Sequence, residues 1–270
     1  MADLTPAAVQ RHLDSSVVWR LHFFDEVTST NTVALDLAEA GAPDRTAVLA
    51  DSQIAGRGRE GREWRTHRGS AIALSAIIRP SSGPEWWPWI GLVAAVATRD
   101  AVERVSGAVG RLKWPNDILL NGRKVAGVLT ETRWHPLQTE RRAVVVGIGV
   151  NVNNRAATLP ESFAASATSI LDATGTIIDR SVLVAEMLNG LATELDGLPH
   201  SADALRSRWT AASATAGSRV AVSTPTGLIE GVDDGLDSLG RLIIRTRDGR
   251  THAVHTGEVL LLRTMSPPVA

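Results

Sequence analysis

The segment Lys113-Trp-Pro-Asn-Asp-Ile-Leu-Leu-Asn-Gly-Arg-Lys124 reads as strand, turn and strand. Leu112–Trp114 and Asp117–Leu120 are short apolar runs with polar borders. Asn121-Gly122 supplies two residues that tolerate positive φ, which a type I′ hairpin turn requires. The chain is then expected to return as a strand through Lys124–Thr132. The same segment holds both lysines of the protein, while the rest of its 28 cationic residues are arginine. Where arginine is so strongly preferred, lysine should persist where a compact ammonium on a flexible stem is needed and a planar fork cannot substitute. Two lysines left by chance on one sheet surface would look the same.

Working outward, Thr5-Pro6 opens a short helix to about Asp14, a capping hydroxyl followed by proline in the first turn. Trp19, Leu21 and Phe23 alternate with polar residues, as in a strand reaching Val27. Thr28-Ser29-Thr30-Asn31 offers capping groups for a helix with Val33, Leu35, Leu37 and Ala38 on its apolar face, ended by Gly41. Thr46–Asp51 is a strand, Gln53 to Gly69 a long polar loop, and Ala71–Ile78 another strand. Pro88 lies near the start of a helix to about Val105. Ala143–Val152 is a β-branched run expected to form a central strand. Asp179 caps a helix to about Leu195, and Ser201–Ala212 forms another. Five short strands then follow with turns at Thr226-Gly227, Leu239-Gly240 and Asp248-Gly249, a pattern that suggests a small β-barrel. The expected architecture is therefore α+β over residues 1–213 and a barrel domain over 214–270.

The 270-residue length suits roughly two domains of about 150 residues or fewer. With 44% hydrophobic residues there is ample core, and a net charge of −1 provides no global field to recruit nucleic acid or anionic lipid. The absence of cysteine removes disulfides, thiolate metal sites and thiol nucleophiles together. No apolar run is long enough to span a bilayer, and MADLTPAAVQ has no signal-peptide pattern, so a cytoplasmic location is expected.

Gly56-Arg-Gly-Arg-Glu-Gly61 matches G-x-G-x-x-G in letters only. A dinucleotide fingerprint needs a strand before it and a helix after it, whereas this loop runs on into a strand. Its chemistry lies instead in Arg57, Arg59, Arg62, Arg65 and Arg68, interleaved with glycine. Guanidinium groups bind phosphate oxygens in pairs, and glycines let backbone amides approach an anion. Five arginines in one loop should repel one another until an anion arrives. Trp64 could anchor the loop or offer a flat face to a base, while His67 reads as a solvated neighbour. Asn116, Asp117 and Asn151 stand where strands emerge, the usual place for a ligand. Asp117 could position Mg²⁺ through water.

These segments together resemble the biotin protein ligases. The resemblance rests on Ser29-Thr30-Asn31, Gln53 to Trp64, Lys113-Trp-Pro-Asn-Asp117, Gly122-Arg-Lys124-Val-Ala-Gly127 and Gly147-Ile-Gly-Val-Asn151, in matching order over residues 25 to 263. It implies a mixed-sheet catalytic fold similar to class II aminoacyl-tRNA synthetases, followed by an SH3-like barrel. It also implies activation of biotin by ATP to biotinyl-5′-AMP, with Mg²⁺, and transfer to a lysine of a biotin carboxyl carrier domain. By the same resemblance, Ser29, Thr30, Asn31 and Gln53 would hold the biotin ring, and Arg57, Gly58 and Arg59 would close over biotin and phosphates. Lys124 would sit between carboxylate and α-phosphate, with Arg59 its catalytic companion. Arg57, Arg59, Arg62, Trp64, Asn116 and Asn151 would contact ATP.

Only 28 residues precede Ser29, so the winged helix carried by some members is not expected, nor is binding to DNA or membrane. Without tyrosine, any ring stacking must use Trp64, Trp114 or aliphatic walls. A monomer and a homodimer both remain open. The rival readings are a lipoate or octanoate ligase on the same fold and a non-catalytic biotin sensor.

Overall fold

The structure, a computed structural model, describes residues 4–66, 68–132, 142–155 and 165–262. His67 and the Ser-Pro-Pro tail lie outside them. Thr5 Oγ1 accepts from the Ala8 amide, as the cap reading expects, but helix α1 is brief, Pro6–Gln10. Strand β1 (Arg20–Phe24) leads to helix α2 (Thr30–Glu39) and strand β2 (Thr46–Ala50). After the arginine loop come β3 (Ala71–Ile78) and helix α3 (Trp87–Ser106), closed by Gly107 at φ 72°. Strands β4 (Arg111–Lys113), β5 (Asp117–Leu120), β6 (Arg123–Thr132) and β7 (Val144–Asn151) follow. Asn121 and Gly122 have φ 50° and 75°, the two positive values of the expected hairpin turn.

Seven strands form one sheet in the order β1-β2-β3-β7-β6-β5-β4, parallel only between β1 and β2. The run around Val146 is central, as anticipated, with an antiparallel neighbour on each side. One sheet face carries Ile72, Leu74, Val146, Ile148 and Val150 onto α3 and onto helix α5 (Arg180–Gly197), which Asp179 caps through the Ser181 and Val182 amides. Helix α4 is Ile170–Thr174 and α6 is Ala202–Ala212.

Helix α2 covers one end of the opposite face with Ala34, Leu35 and Ala38 against Val48, Ile77 and Val145. Its buried side is offset from the expected one: Thr30 and Asn31 are inside, while Val33 and Leu37 are only half-buried. The reason is that the buried face of the first turn meets a polar pocket.

The last five strands, β8 (Arg219–Thr224), β9 (Gly227–Leu236), β10 (Leu242–Arg245), β11 (Thr251–Val254) and β12 (Glu258–Leu261), pair antiparallel in the order β11-β10-β9-β8-β12. Their apolar residues Val220, Val222, Leu242 and Ile244 continue the main core, and Trp89 Nε1 on α3 donates to Ser238 O at 3.3 Å. No helix among the described residues is long and apolar enough to cross a membrane.

Candidate active site

Residues opposite one another in a sheet share a face, so the register describes the floor of the site. One row crosses five strands as Lys113, Asp117, Gly127, Gly149 and Ala73. The next row runs Leu129, Gly147, Ser75. Alanine, serine and three glycines here leave a hollow that larger side chains would fill. The result is a cavity of about 460 Å³.

The glycines are required by what rests on them. A Cβ at Gly149 would lie 2.3 Å from Trp64 Cε2, and one at Gly147 would lie 2.2 Å from Asn31 Oδ1. Glycine inside strands often marks such close approach. Trp64 therefore lies directly on the sheet backbone.

Lys124 reaches this face through a β-bulge. Leu119 opposes Lys124, yet Ile118 opposes Ala126, so Val125 is the extra residue on β6. In a regular strand Lys124 would share the core face of Ala126 and Val128. The inserted residue inverts its parity and turns it onto the face of Asp117 and Gly127. Its Nζ lies 2.5 Å from Asp117 Oδ1 and 5.6 Å from the Trp64 ring centroid, a cation–π arrangement. Lys113, directly opposite Asp117 on β4, lines the same cavity.

The arginine loop lies along this cavity, and its charges are not left to repel. Arg57 pairs with Glu131 at 3.0 Å and donates to Thr32 Oγ1 at 2.8 Å. Arg59 donates to Thr256 Oγ1 at 3.0 Å and Gly257 O at 3.3 Å; Arg62 pairs with Glu60 and Glu258. Arg65 meets Glu63, and Arg68 meets Glu26. Expected repulsion within the loop is thus answered by carboxylates and carbonyl groups, some of them far away in sequence. One glycine amide of the loop is also engaged: Gly58 N donates to Arg62 O at 2.7 Å. Gly56 is fixed by crowding, since a Cβ there would sit 2.3 Å from Trp64 O.

Across the cavity, Ser29 precedes α2 but makes no side-chain cap bond. The Thr30 amide is held instead by Gln53 Oε1 at 2.8 Å, so a residue of the loop caps the helix. This differs from the expected local capping, because Gln53 approaches from the loop just after β2. Thr30 Oγ1 donates to the same oxygen, and Gln53 Nε2 donates to Thr66 Oγ1 at 3.0 Å. Ser75 Oγ donates within 2.7 Å of Thr30 Oγ1 and 2.6 Å of Asn31 Oδ1, while Asn31 Nδ2 donates to Glu131 at 2.7 Å.

Residues 23–151 match the model of the Biotin/lipoate A/B protein ligase family, and residues 215–262 match the Biotin protein ligase C terminal domain. The Biotin--[acetyl-CoA-carboxylase] ligase of Mycobacterium tuberculosis is 34% identical over 272 residues, covering 96% of this chain and 98% of that protein. The Bifunctional ligase/repressor BirA of Bacillus subtilis is 35% identical over 233 residues, covering 85% of this chain and 70% of the relative. This chain belongs to the biotin protein ligase family. The structure of the Biotin protein ligase from Aquifex aeolicus in complex with biotin and ATP superposes with a TM-score of 0.78 at 28% identity, covering 91% of this chain and 99% of that one.

All the site residues expected from this family's motifs line the one cavity: Ser29, Thr30, Asn31 and Gln53, then Arg57, Gly58, Arg59, Arg62 and Trp64, then Asn116, Asp117, Lys124 and Asn151. Their free valences differ, however. Asn31 spends its amide on Ser75 and Glu131, Asn116 Nδ2 donates to Val128 O at 2.7 Å, and Asn151 Nδ2 donates to Thr168 O at 3.1 Å. These three hold the walls in place. Trp114 packs in the core and also lines this cavity, so it remains available as a wall beside Trp64.

Sequence reasoning did not find Ser75, Thr66, Glu131, Gly257 or Glu258. The first had a signal, a lone hydroxyl in an otherwise apolar strand; the others are common residue types with no local mark, brought in by the fold.

Glu258, on the C-terminal sheet, is the unexpected member. Its carboxyl is held below its ordinary value of 4.5, first by the hydrogen bond from Arg62 and further by the charges of Lys113 and Lys124. A depressed carboxyl contributes above its unfolded value and is lost as pH falls through its folded value. Hydrogen-exchange protection of the arginine loop is therefore expected to hold steady from neutral pH down to about 4.5 and to weaken below it. Glu258→Gln should show the weakened protection at neutral pH already.

Proposed function

We propose that this chain activates biotin with ATP to biotinyl-5′-AMP, releasing pyrophosphate, and transfers biotin to a lysine of a biotin carboxyl carrier domain. The observation that carries this reading is the meeting of Lys124 with the arginine loop in one cavity, 5.6 Å from Trp64. The names of the relatives and of the biotin- and ATP-bound structure supply the substrates.

The chemistry fits these cations. A biotin carboxylate oxygen attacks the α-phosphorus, a P–O bond to pyrophosphate breaks, and both reactants are anionic. Preorganised positive groups offset that repulsion most strongly when charge shifts between oxygens. Lys124 serves as the mobile ammonium and Arg59 as its companion on the loop. Arg57 and Arg62 rest on carboxylates through pairs that are roughly half exposed. Such pairs contribute only about 0–1 kcal/mol, so exchange of Glu131 or Glu258 for a substrate anion costs little. In the second half-reaction a carrier lysine amine attacks the acyl carbon, and AMP leaves. Ser29 and Thr30 on the first turn of α2, with Gln53, face the biotin ring, where buried polar partners discriminate well. Arg57, Arg59, Arg62 and Trp64 face the nucleotide, and Gly58 carries the loop across both substrates. Asn116 and Asn151 shape the nucleotide side of the cavity, as Asn31 does the biotin side.

The residues present do not fit a protein-held Mg²⁺. Asp117 is already paired with Lys124, and among the described residues no three His, Cys, Asp or Glu side chains converge. Mg²⁺ arriving with the triphosphate would belong to the substrate. We also read the mixed sheet as kin to the class II aminoacyl-tRNA synthetase fold, and the five-strand unit beyond about residue 213 as an SH3-like domain.

Biotin-dependent exchange of labelled pyrophosphate into ATP tests the reading directly. Exchange with octanoate or lipoate instead would favour the rival ligases, and binding of biotin without exchange would favour a sensor. Gly149→Ala is expected to displace the Trp64 indole, since overpacking forces shifts costing about 1–3 kcal/mol. Calorimetry should then show biotin and ATP binding weakened by about tenfold, with the circular dichroism of the fold retained.

A further inference from the structure

Arg180 is 1% exposed, although it is an arginine at the first position of helix α5. Both circumstances are unfavourable: a buried charge is costly, and a cation at a helix N-terminus opposes the macrodipole. The cap of helix α5 is already supplied by Asp179, so capping does not account for this residue. What Arg180 touches lies elsewhere. Its Nη1 donates to Asp51 Oδ1 at 2.8 Å and to Ala71 O at 2.9 Å. The same Asp51 oxygen accepts from the Gly69 amide at 3.0 Å.

Asp51 directly follows β2, and Gly69 and Ala71 lie at the start of β3, so these are the two ends of the arginine loop. The β2–β3 ladder ends at the pair Ala50 and Ala73. Beyond it, the ion pair carries the juxtaposition of the two ends further, to where the loop departs over the cavity. Gly69, at φ 71°, makes the turn back into the sheet. Ser70 O accepts from the Asn153 amide at 2.7 Å, which ties the same corner to the end of β7.

We propose that Asp51 and Arg180 form a positioning pair that sets the departure angle of the arginine loop, and hence how well the loop retains the acyl-adenylate. Neither residue lines the cavity, so neither is a catalytic residue. This rests on the ligase reading above. A buried ion pair is weak evidence for stability, because a well-packed apolar replacement is often as stable. Its value here is geometric: one oxygen and one guanidinium hold two backbone groups at the start of β3, the Gly69 amide and the Ala71 carbonyl, to the residue that follows β2.

Replacing one partner alone strands a buried charge and destabilises the domain as a whole, so the test replaces both. Asp51→Leu with Arg180→Met is expected to leave the melting temperature close to the parent's. Two readouts should nevertheless move. Trypsin should cut at the loop arginines at least about tenfold faster in the substrate-free protein, a measurement that does not depend on any activity. With biotin and ATP, the fraction of biotinyl-AMP escaping into solution should rise severalfold while the rate of its formation falls little. Should this variant not fold, Asp51→Asn with Arg180→Met keeps an acceptor for Gly69 and should show smaller changes in the same direction. A folded double variant with parental cleavage and parental retention overturns the proposal. A parent that forms no adenylate from biotin and ATP overturns the ligase reading instead; accelerated cleavage would then still support the loop brace by itself.

Discussion

Lys124→Ala should lower biotin-dependent pyrophosphate exchange by about 10²–10³-fold or more, the scale of losing one preorganised charge-stabilising donor. The ammonium stands between Asp117 and the Trp64 ring, on the face along which the arginine loop lies. It is partly exposed, so its removal leaves Asp117 hydrated rather than stranded, and the melting temperature should change little. A companion variant, Lys124→Arg, separates charge from shape. A planar fork cannot follow charge from carboxylate to phosphate as a compact ammonium does, so little activity should return. Near-normal pyrophosphate release from the alanine variant would remove Lys124 from the chemistry.

Arg59→Gly acts on retention rather than formation. In the structure Arg59 joins the loop to the C-terminal sheet through Thr256 and Gly257. Without it the loop loses its tie across the mouth of the cavity and, on the function proposed above, a cation over the mixed anhydride. Biotinyl-AMP should still form, but its release should rise by about tenfold or more, corresponding to ~1.4 kcal/mol per decade. Lysines of a bystander protein should then acquire biotin, detectable by blotting in a mixture with the carrier domain. Retention as tight as the parent's would contradict this role. Closure matters because an acyl-adenylate survives only while water is excluded.

Much of the fold is legible because its signals are local. Ala71–Ile78 is a strand in sequence and in structure, since seven apolar residues and one serine run without a breaker and are buried on both faces. Asn121-Gly122 announces its turn, and Asp179 announces its helix. The site is legible as an inventory: the arginine loop, the two lysines and the Ser-Thr-Asn turn could be named as a group. Their partners could not. Glu131 is seventy-four residues from Arg57, and Glu258 is 196 residues from Arg62. Nothing in either neighbourhood marks them, because pairing between distant charges follows from strand order. The capping of α2 illustrates the same limit. Thr28, Ser29 and Asn31 are good capping residues by type, yet the acceptor comes from Gln53 on another segment.

What the amino-acid order alone determined was the kind of elements, their succession and the set of charged groups gathered for one chemistry, for these follow from periodicity, turn stereochemistry and side-chain type. Which way Lys124 faces was decided only in three dimensions. Counting by twos along β6 places it on the core side with Ala126 and Val128; the extra residue Val125 turns it over to Asp117 and the cavity. A strand's side-chain period is two, so one inserted residue inverts parity, and that insertion exists only in the register between two paired strands.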